Sequence, residues 1–193
     1  MCSARCGPCV AYERRAMTTP YTIRLVNEDD AAAFRELRLE ALRTAPTAFG
    51  ADAESAAQIP LESWRQRMRE QSGGEYEATF VAESGGALVG MSRFFQETGA
   101  KERHQAHIYS VYVQPVFRGQ GVLAALFRAG FAWAHGRGLR MLKLGVTATN
   151  APAIRAYTKL GFSVYGVDPE LLCYQGTYYD ELLMYRRVMP DDQ

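Results

Sequence analysis

The sequence has almost no net charge: 22 Lys+Arg stand against 21 Asp+Glu, a formal +1 over 193 residues. Nucleic acid and anionic membranes both favour a basic excess or stripe, so this balance removes the simplest argument for either as partner. Long apolar runs are missing too. No uninterrupted stretch approaches the ~18 residues of a membrane span, so no membrane partner is expected. No Gly-Lys-Ser or Gly-Lys-Thr occurs, which leaves out a Walker phosphate loop. Cysteine is scarce, and three of the four cysteines fall at Cys2, Cys6 and Cys9, with Cys173 alone in the C-terminal third. That is no disulfide framework, and a reducing cytoplasm is the expected compartment. The basic residues near the start are not followed by a 7–15-residue apolar stretch, so a secretory signal is not expected.

What is present is 48% hydrophobic and 22% charged, which argues against wholesale disorder. The length predicts one domain, and a chain of this size buries about 70% of its unfolded surface without a metal or disulfide staple. The Cys2-x3-Cys6-x2-Cys9 spacing could hold three irons of a four-iron cluster. It sits, however, on a tail containing Gly7-Pro8. Met17, followed by Thr18, Thr19, Pro20 and the strand-like Tyr21–Leu25, looks like an ordinary start. Residues 1–16 are therefore expected to be a disordered extension, and 17–193 the domain.

Tyr21–Val26 alternates as a first strand. Asn27 to Asp30 supply capping oxygens for a helix reaching about Thr44, which Pro46 ends. Thr47–Gln58 reads as a loop, and a second helix from Pro60 should carry Leu61, Trp64 and Met68 on one face. Ala78–Ala82 and Leu88–Phe95 read as a hairpin across Ser84-Gly85-Gly86. His107–Val113 is the strongest strand pattern. Then come a turn at 115–121, an apolar helix over Val122–His135 and a strand at Arg140–Val146. A helix at Ala151–Leu160, a short strand at Phe162–Tyr165 and a long aromatic strand at Tyr178–Val188 complete the pattern. Together these predict an α+β, three-layer domain whose mixed sheet has about six to seven strands flanked by about four helices. A right-handed crossover makes 107–113 and 140–146 parallel. The aromatic final strand could pair across a homodimer.

Chemistry concentrates in Val111-Tyr112-Val113-Gln114-Pro115-Val116-Phe117-Arg118-Gly119-Gln120-Gly121-Val122. A strand feeds a glycine turn that opens a helix, whose first N–H groups are unpaired and lie at the positive end of the macrodipole. Glycines admit a bulky anion to that backbone, and Arg118 adds a fixed cation. This is a polyphosphate cradle. Gly119, Gly121 and Ala124 also fit a relaxed dinucleotide fingerprint. In a dinucleotide fold, though, that fingerprint follows the first strand and precedes an acidic residue, whereas here several strands come first and the region near 140 is basic.

The run Arg118-Gly119-Gln120-Gly121-Val122-Leu123, after Val113-Gln114-Pro115, resembles the coenzyme A loop of the GNAT-type N-acetyltransferase superfamily. Leu123 stands where that family has a small residue. Asn150-Ala151-Pro152-Ala153-Ile154-Arg155-Ala156-Tyr157-Thr158-Lys159-Leu160-Gly161-Phe162 is similar to the family's Asn-x-x-Ala-x-x-x-Tyr-x-x-x-Gly-Phe block. The resemblance covers roughly Tyr21 to Val188 and implies an acyl-CoA N-acyltransferase fold. It implies acetyl transfer from acetyl-CoA to a primary amine, of a small molecule or a protein, by direct attack in a ternary complex. The same resemblance has the backbone of Val111, Tyr112 and Val113 pairing with the pantetheine arm. Arg118, Gly119, Gln120, Gly121, Val122 and Leu123 would hold the pyrophosphate, and Asn150 and Ala153 would border the arm.

Tyr157 is the expected general acid, seven residues after Asn150 and hence on about the same helical face. The competing reading is that it merely packs beneath the sheet. His107, on the alternation face of Tyr109, Val111 and Val113, is the expected base, against a reading as a half-exposed histidine with no role. Asn150 is also a helix cap before Ala151-Pro152. No metal is expected, because His104 and His107 form only an i,i+3 pair and His135 ends a distant helix. Phe34, Leu37, Phe49, Phe94 and the Tyr174–Tyr185 aromatics are acceptor-wall candidates. Glu170, Asp180 and Glu181 could attract a cationic amine. The alternatives are a non-catalytic acyl-CoA-binding sensor or partner module, and a nicotinamide oxidoreductase.

Overall fold

The computed structural model describes residues 20–192, so the Cys2, Cys6 and Cys9 triad and the start at Met17 lie outside the described residues. Strand β1 (Thr22–Leu25) enters antiparallel to β2 (Glu77–Ser84), with Thr22 opposite Glu83. Arg24 fixes this entry: its guanidinium makes a bidentate pair with Asp30 at 2.6 and 2.7 Å and reaches Glu83 at 2.8 Å. Asp30 also accepts from the Asn27 N–H at 2.8 Å, completing a reciprocal capping box over a 3-10 turn at Glu28–Asp30. The turn runs directly into α1 (Ala31–Thr44), which buries Phe34, Leu37 and Ala41.

The stretch expected as a loop instead carries a 3-10 turn at Pro46–Ala48 and a short helix, α2 (Ala53–Ala57). Asp52 accepts from the Ser55 N–H at 2.7 Å, a cap strong enough to start a helix in an alanine-rich segment with little hydrophobic periodicity. Helix α3 (Leu61–Gln71) follows, with Trp64 and Met68 buried. The hairpin β2–β3 (Ala87–Gln96) and then β4 (Gln105–Val113) extend the sheet. Helix α4 (Val122–Gly136) crosses to β5 (Met141–Thr147), and α5 (Ala151–Lys159) leads to β6 (Ser163–Tyr174) and β7 (Thr177–Arg187).

The seven strands lie in the order β1-β2-β3-β4-β5-β7-β6. The β4–β5 pair is parallel, and its neighbours are antiparallel. The larger core lies between the sheet and α4 with α5, centred on Phe94, whose ring meets Phe80 and Phe127 edge-on at 6.0 Å each. The second core, on the opposite face, packs α1 and α3 against Val81, Met91 and Tyr112. Phe94 is thus fully buried in the α4-side core and forms no acceptor wall.

The strand expected at Phe162–Tyr165 runs on to Tyr174. Its Asp168-Pro169-Glu170 interruption is a register shift between Asp168 and Leu172, with Glu170 at φ 53, rather than an end. The aromatic final strand lies between β5 and β6, so both its edges are paired and it cannot extend a sheet across a dimer. Among the described residues no helix is long and apolar enough to cross a membrane.

Candidate active site

β4 and β5 pair over three residues only: Gln105, Ala106 and His107 with Met141, Leu142 and Lys143. β4 continues to Val113 and β5 to Thr147, so beyond His107 the strands part and leave a cleft in mid-sheet. A bulge in β4 accompanies the divergence. The register against β3 shifts between Met91 and Arg93, so Ser92 spans two β4 residues, and Ser110 takes φ 55. A bulge adds one residue and reverses the alternation beyond it. Ala106 and Ile108 face the α4-side core, and beyond the bulge Val111 and Val113 pack on that same side, while Tyr112 enters the α1/α3-side core. His107 and Tyr109 therefore share a face with Tyr112, and not with Val111 and Val113 as strict alternation had implied. Tyr112 is tied down there. Its hydroxyl donates to Glu40 Oε1 at 3.0 Å, and Gln114 Nε2 donates to Glu40 Oε2 at 2.7 Å, locking the end of β4 onto α1.

At the mouth of the cleft lies the glycine turn. Gly119 and Gly121 have φ 76 and 83, a left-handed backbone that glycine adopts without a Cβ penalty. Gly121 caps α4, whose first turn carries no acidic side chain, so no carboxylate of the helix offsets its positive dipole end. A Cβ on Gly119 would meet nothing within 4 Å among the described residues. Arg118 is exposed, its Nε donating to the Val113 carbonyl at 3.0 Å and its guanidinium 5.8 Å from the Tyr112 ring. The turn, the helix end and the cation together suit a pyrophosphate. Val122 is buried beneath them, and Leu123 packs against the α4-side core, so the non-small residue is accommodated by turning inward.

Asn150 caps α5: its side chain accepts from the Ala153 N–H at 3.3 Å. Ala153 packs on the α4-side core, and one turn further Tyr157 is buried there, stacked on Phe127 with ring centroids 5.6 Å apart. Among the described residues its hydroxyl has no hydrogen-bond partner, and burial alone drives its pKa above the usual tyrosine range. The group is a neutral O–H donor at every physiological pH.

His107 stands where the two strands begin to part. Its Nε2 lies 3.6 Å from Glu97 Oε1, and its ring stacks on Tyr109 at 6.0 Å. Burial pulls its pKa below the ordinary 6.5, more than the Glu97 carboxylate raises it. A neutral imidazole at pH 7 can accept a proton. Across the cleft on β7, Glu181 lies over Gly145 of β5, and a Cβ on Gly145 would collide with its carboxylate. Burial, reinforced by Asp168, raises the Glu181 pKa, and its charge also acts on Tyr109.

His107 and Tyr157 thus face opposite sides of the sheet, with the cleft between them. A group threaded through the gap would be open to a hydroxyl donor from one side and to an acceptor molecule from the other. The sequence flagged Glu181 only as one of three acids that could attract a cationic amine. The signal that could have found it is Gly145, a glycine inside a strand, which marks a close approach by a neighbour. Among the described residues there is no group of three His, Cys, Asp or Glu able to hold a metal.

The Acetyltransferase (GNAT) family matches residues 32–162 of the chain. A Methanocaldococcus jannaschii protein described as an uncharacterized N-acetyltransferase is 32% identical over 144 residues, covering 74% of this chain and 60% of its own length. The chain therefore spans under two thirds of that relative. A crystal structure of an acetyltransferase of the GNAT family from Streptococcus pneumoniae superposes with a TM-score of 0.78 at 22% identity, over 88% of this chain and all of that one, and so shares the fold. A putative acetyltransferase from Salmonella typhimurium, solved with its cofactor acetyl-CoA, matches with a TM-score of 0.73 at 25% identity, over 88% and 95% of the two chains.

Proposed function

Because the chain belongs to the acetyltransferase (GNAT) family, we propose that it transfers the acetyl group of acetyl-CoA to an amine nitrogen by direct attack in a ternary complex. The parting of β4 from β5 beyond His107 is the observation that carries this reading. It leaves strand backbone at 108–113 without a sheet partner on the β5 side, and an extended pantetheine arm can pair there like an added strand. The glycine turn and α4 lie at the outer end, as the pyrophosphate requires.

In this reading His107 takes a proton from the acceptor ammonium, and Glu181 holds that cation on the same side. The freed amine attacks the thioester carbon, and a strand N–H from Val111–Val113 polarises the carbonyl oxygen. The tetrahedral adduct collapses, breaking the C–S bond and forming the amide, and the second proton lost from its nitrogen passes to the sulfur, so coenzyme A leaves as the thiol. Tyr157 donates to the departing sulfur. Burial holds the Tyr157 pKa well above that of a thiol, about 8.5, so the hydroxyl keeps its proton and stabilises the leaving thiolate as a hydrogen-bond donor. The sparse cysteines, with Cys173 alone in the C-terminal third, fit a reaction in the cytoplasm.

Thiol release from acetyl-CoA over a panel of primary amines tests the reading. Turnover that falls steeply in Tyr157→Phe is expected. Tight coenzyme A binding with no turnover on any amine would instead mark a sensor or partner module.

A further inference from the structure

A cavity of about 180 Å³ opens on the α1/α3 face of the sheet, beside the β4 bulge. Arg38, Arg67 and Arg93 line it, with Phe34, Trp64 and Ser110. Its chemistry is one-sided, for no carboxylate among the described residues belongs to its wall. Arg93 is neutralised from outside by Glu77 at 2.6 Å, but neither Arg38 nor Arg67 makes an ion pair among the described residues. Arg67 lies over the Trp64 ring at 5.1 Å and Arg38 over Phe49 at 4.5 Å. Two buried donors here lack any hydrogen-bond partner among the described residues, Arg38 Nη1 and Trp64 Nε1. Native structures rarely leave such groups unmet, and a buried cation without a counter-charge is costlier than a neutral donor. Burial alone pushes the Arg38 pKa down to about 10, as expected of a charge that lacks its counter-ion.

Ser110 connects this cavity to the cleft: it lines the cavity and is also the bulge residue between Tyr109 and Val111. A ligand seated at the cavity therefore lies beside the strand segment read above as the thioester site. We propose that the cavity binds a compact oxyanion carried by the acceptor, so that the acceptors are amines bearing a carboxylate, with α-amino acids the simplest class. The inference rests on the acetyl-transfer reading and names the substrate class of that site. The arrangement is bipolar. Glu181 and His107 take the ammonium end near the gap, while Arg38, Arg67 and the Trp64 indole take the carboxylate.

The test compares phenylalanine with phenethylamine and leucine with isoamylamine, each pair differing only in the carboxylate. A site built to hydrogen-bond a substrate group discriminates strongly against the analogue lacking it, so kcat/KM for the acid should exceed that for the amine by at least about 30-fold. In Arg38→Met, which keeps an apolar stem against Phe49, that ratio should collapse to about threefold or less, chiefly through KM. Arg67→Gln, on an exposed residue, should lower the same ratio and serves if Arg38→Met does not fold, as judged by its coenzyme A affinity. Amines accepted as well as the acids, or a ratio unchanged in both variants, would overturn the cavity assignment and leave acetyl transfer standing. Coenzyme A binding without acetylation of any of the four compounds would overturn both.

Discussion

The carboxylate of Glu181 fills the space that a side chain on Gly145 would need. The two belong to adjacent strands, and the absence of a side chain on β5 is what lets an acid from β7 lie at the floor of the cleft. Gly145→Ala should drive that carboxylate out of place. Displacement of a reacting or positioning group by about 1 Å can cost 10²-fold, so kcat/KM for the amine should fall by roughly that much while coenzyme A affinity is unchanged. Steady-state kinetics with calorimetry for coenzyme A checks this, and an unaltered kcat/KM would remove Glu181 from the acceptor site.

The acid limb of the pH profile should report His107. The reactive form is the neutral imidazole, whose fraction falls as pH drops through its pKa. Because burial holds that pKa below about 6.5, the limb in kcat/KM should lie below that value. Glu97 raises the pKa, so Glu97→Gln should move the limb to still lower pH. A limb that moves upward in Glu97→Gln would contradict the assignment. Glu181→Gln should leave the Glu97-dependent movement intact, since Glu181 is not among the charges that act on His107.

Tyr157→Phe should separate catalysis from stability. The hydroxyl has no hydrogen-bond partner among the described residues, so its removal leaves no orphaned group and should barely change the melting temperature. General acid catalysis is typically worth at least about 10²-fold, and kcat should fall accordingly. A large loss of stability with intact kcat would make Tyr157 a packing residue beneath the sheet.

Much of the fold was legible because its signals were periodic. The Trp64 and Met68 spacing, the Gly85-Gly86 hairpin and the switch from β4 to α4 each followed from local chemistry. The misses share one cause: they depend on a neighbour the sequence does not display. The bulge at Ser110 is a single left-handed serine, invisible to alternation, yet it reverses which side chains face the acceptor. Strand β6 outruns its own pattern because pairing with β7 carries it past Pro169. Glu181 lay in a segment read as an aromatic strand and Arg38 in one read only as helical, and both matter through what lies opposite them.

At the coenzyme A end, Gly121→Ala should strain a φ of 83 by about 1–2 kcal/mol and bring a Cβ within 3.3 Å of the Tyr21 hydroxyl. Coenzyme A affinity should weaken by roughly tenfold, with kcat at saturation retained. Arg118→Ala should weaken it too, and the deficit should shrink as salt is raised, because an exposed cation is screened beyond a Debye length of ~10 Å at 0.1 M. A deficit independent of salt would point away from a charge contact with the phosphates.

The central claim is direct attack by an amine on acetyl-CoA held between β4 and β5. Single-turnover mass spectrometry with acetyl-labelled acetyl-CoA tests it most directly. The label should pass to the amide of the acceptor in one step, with none on the protein at any time and with coenzyme A released only when the amine is present. Label appearing first on a protein side chain, or coenzyme A released equally well without an amine, would contradict it.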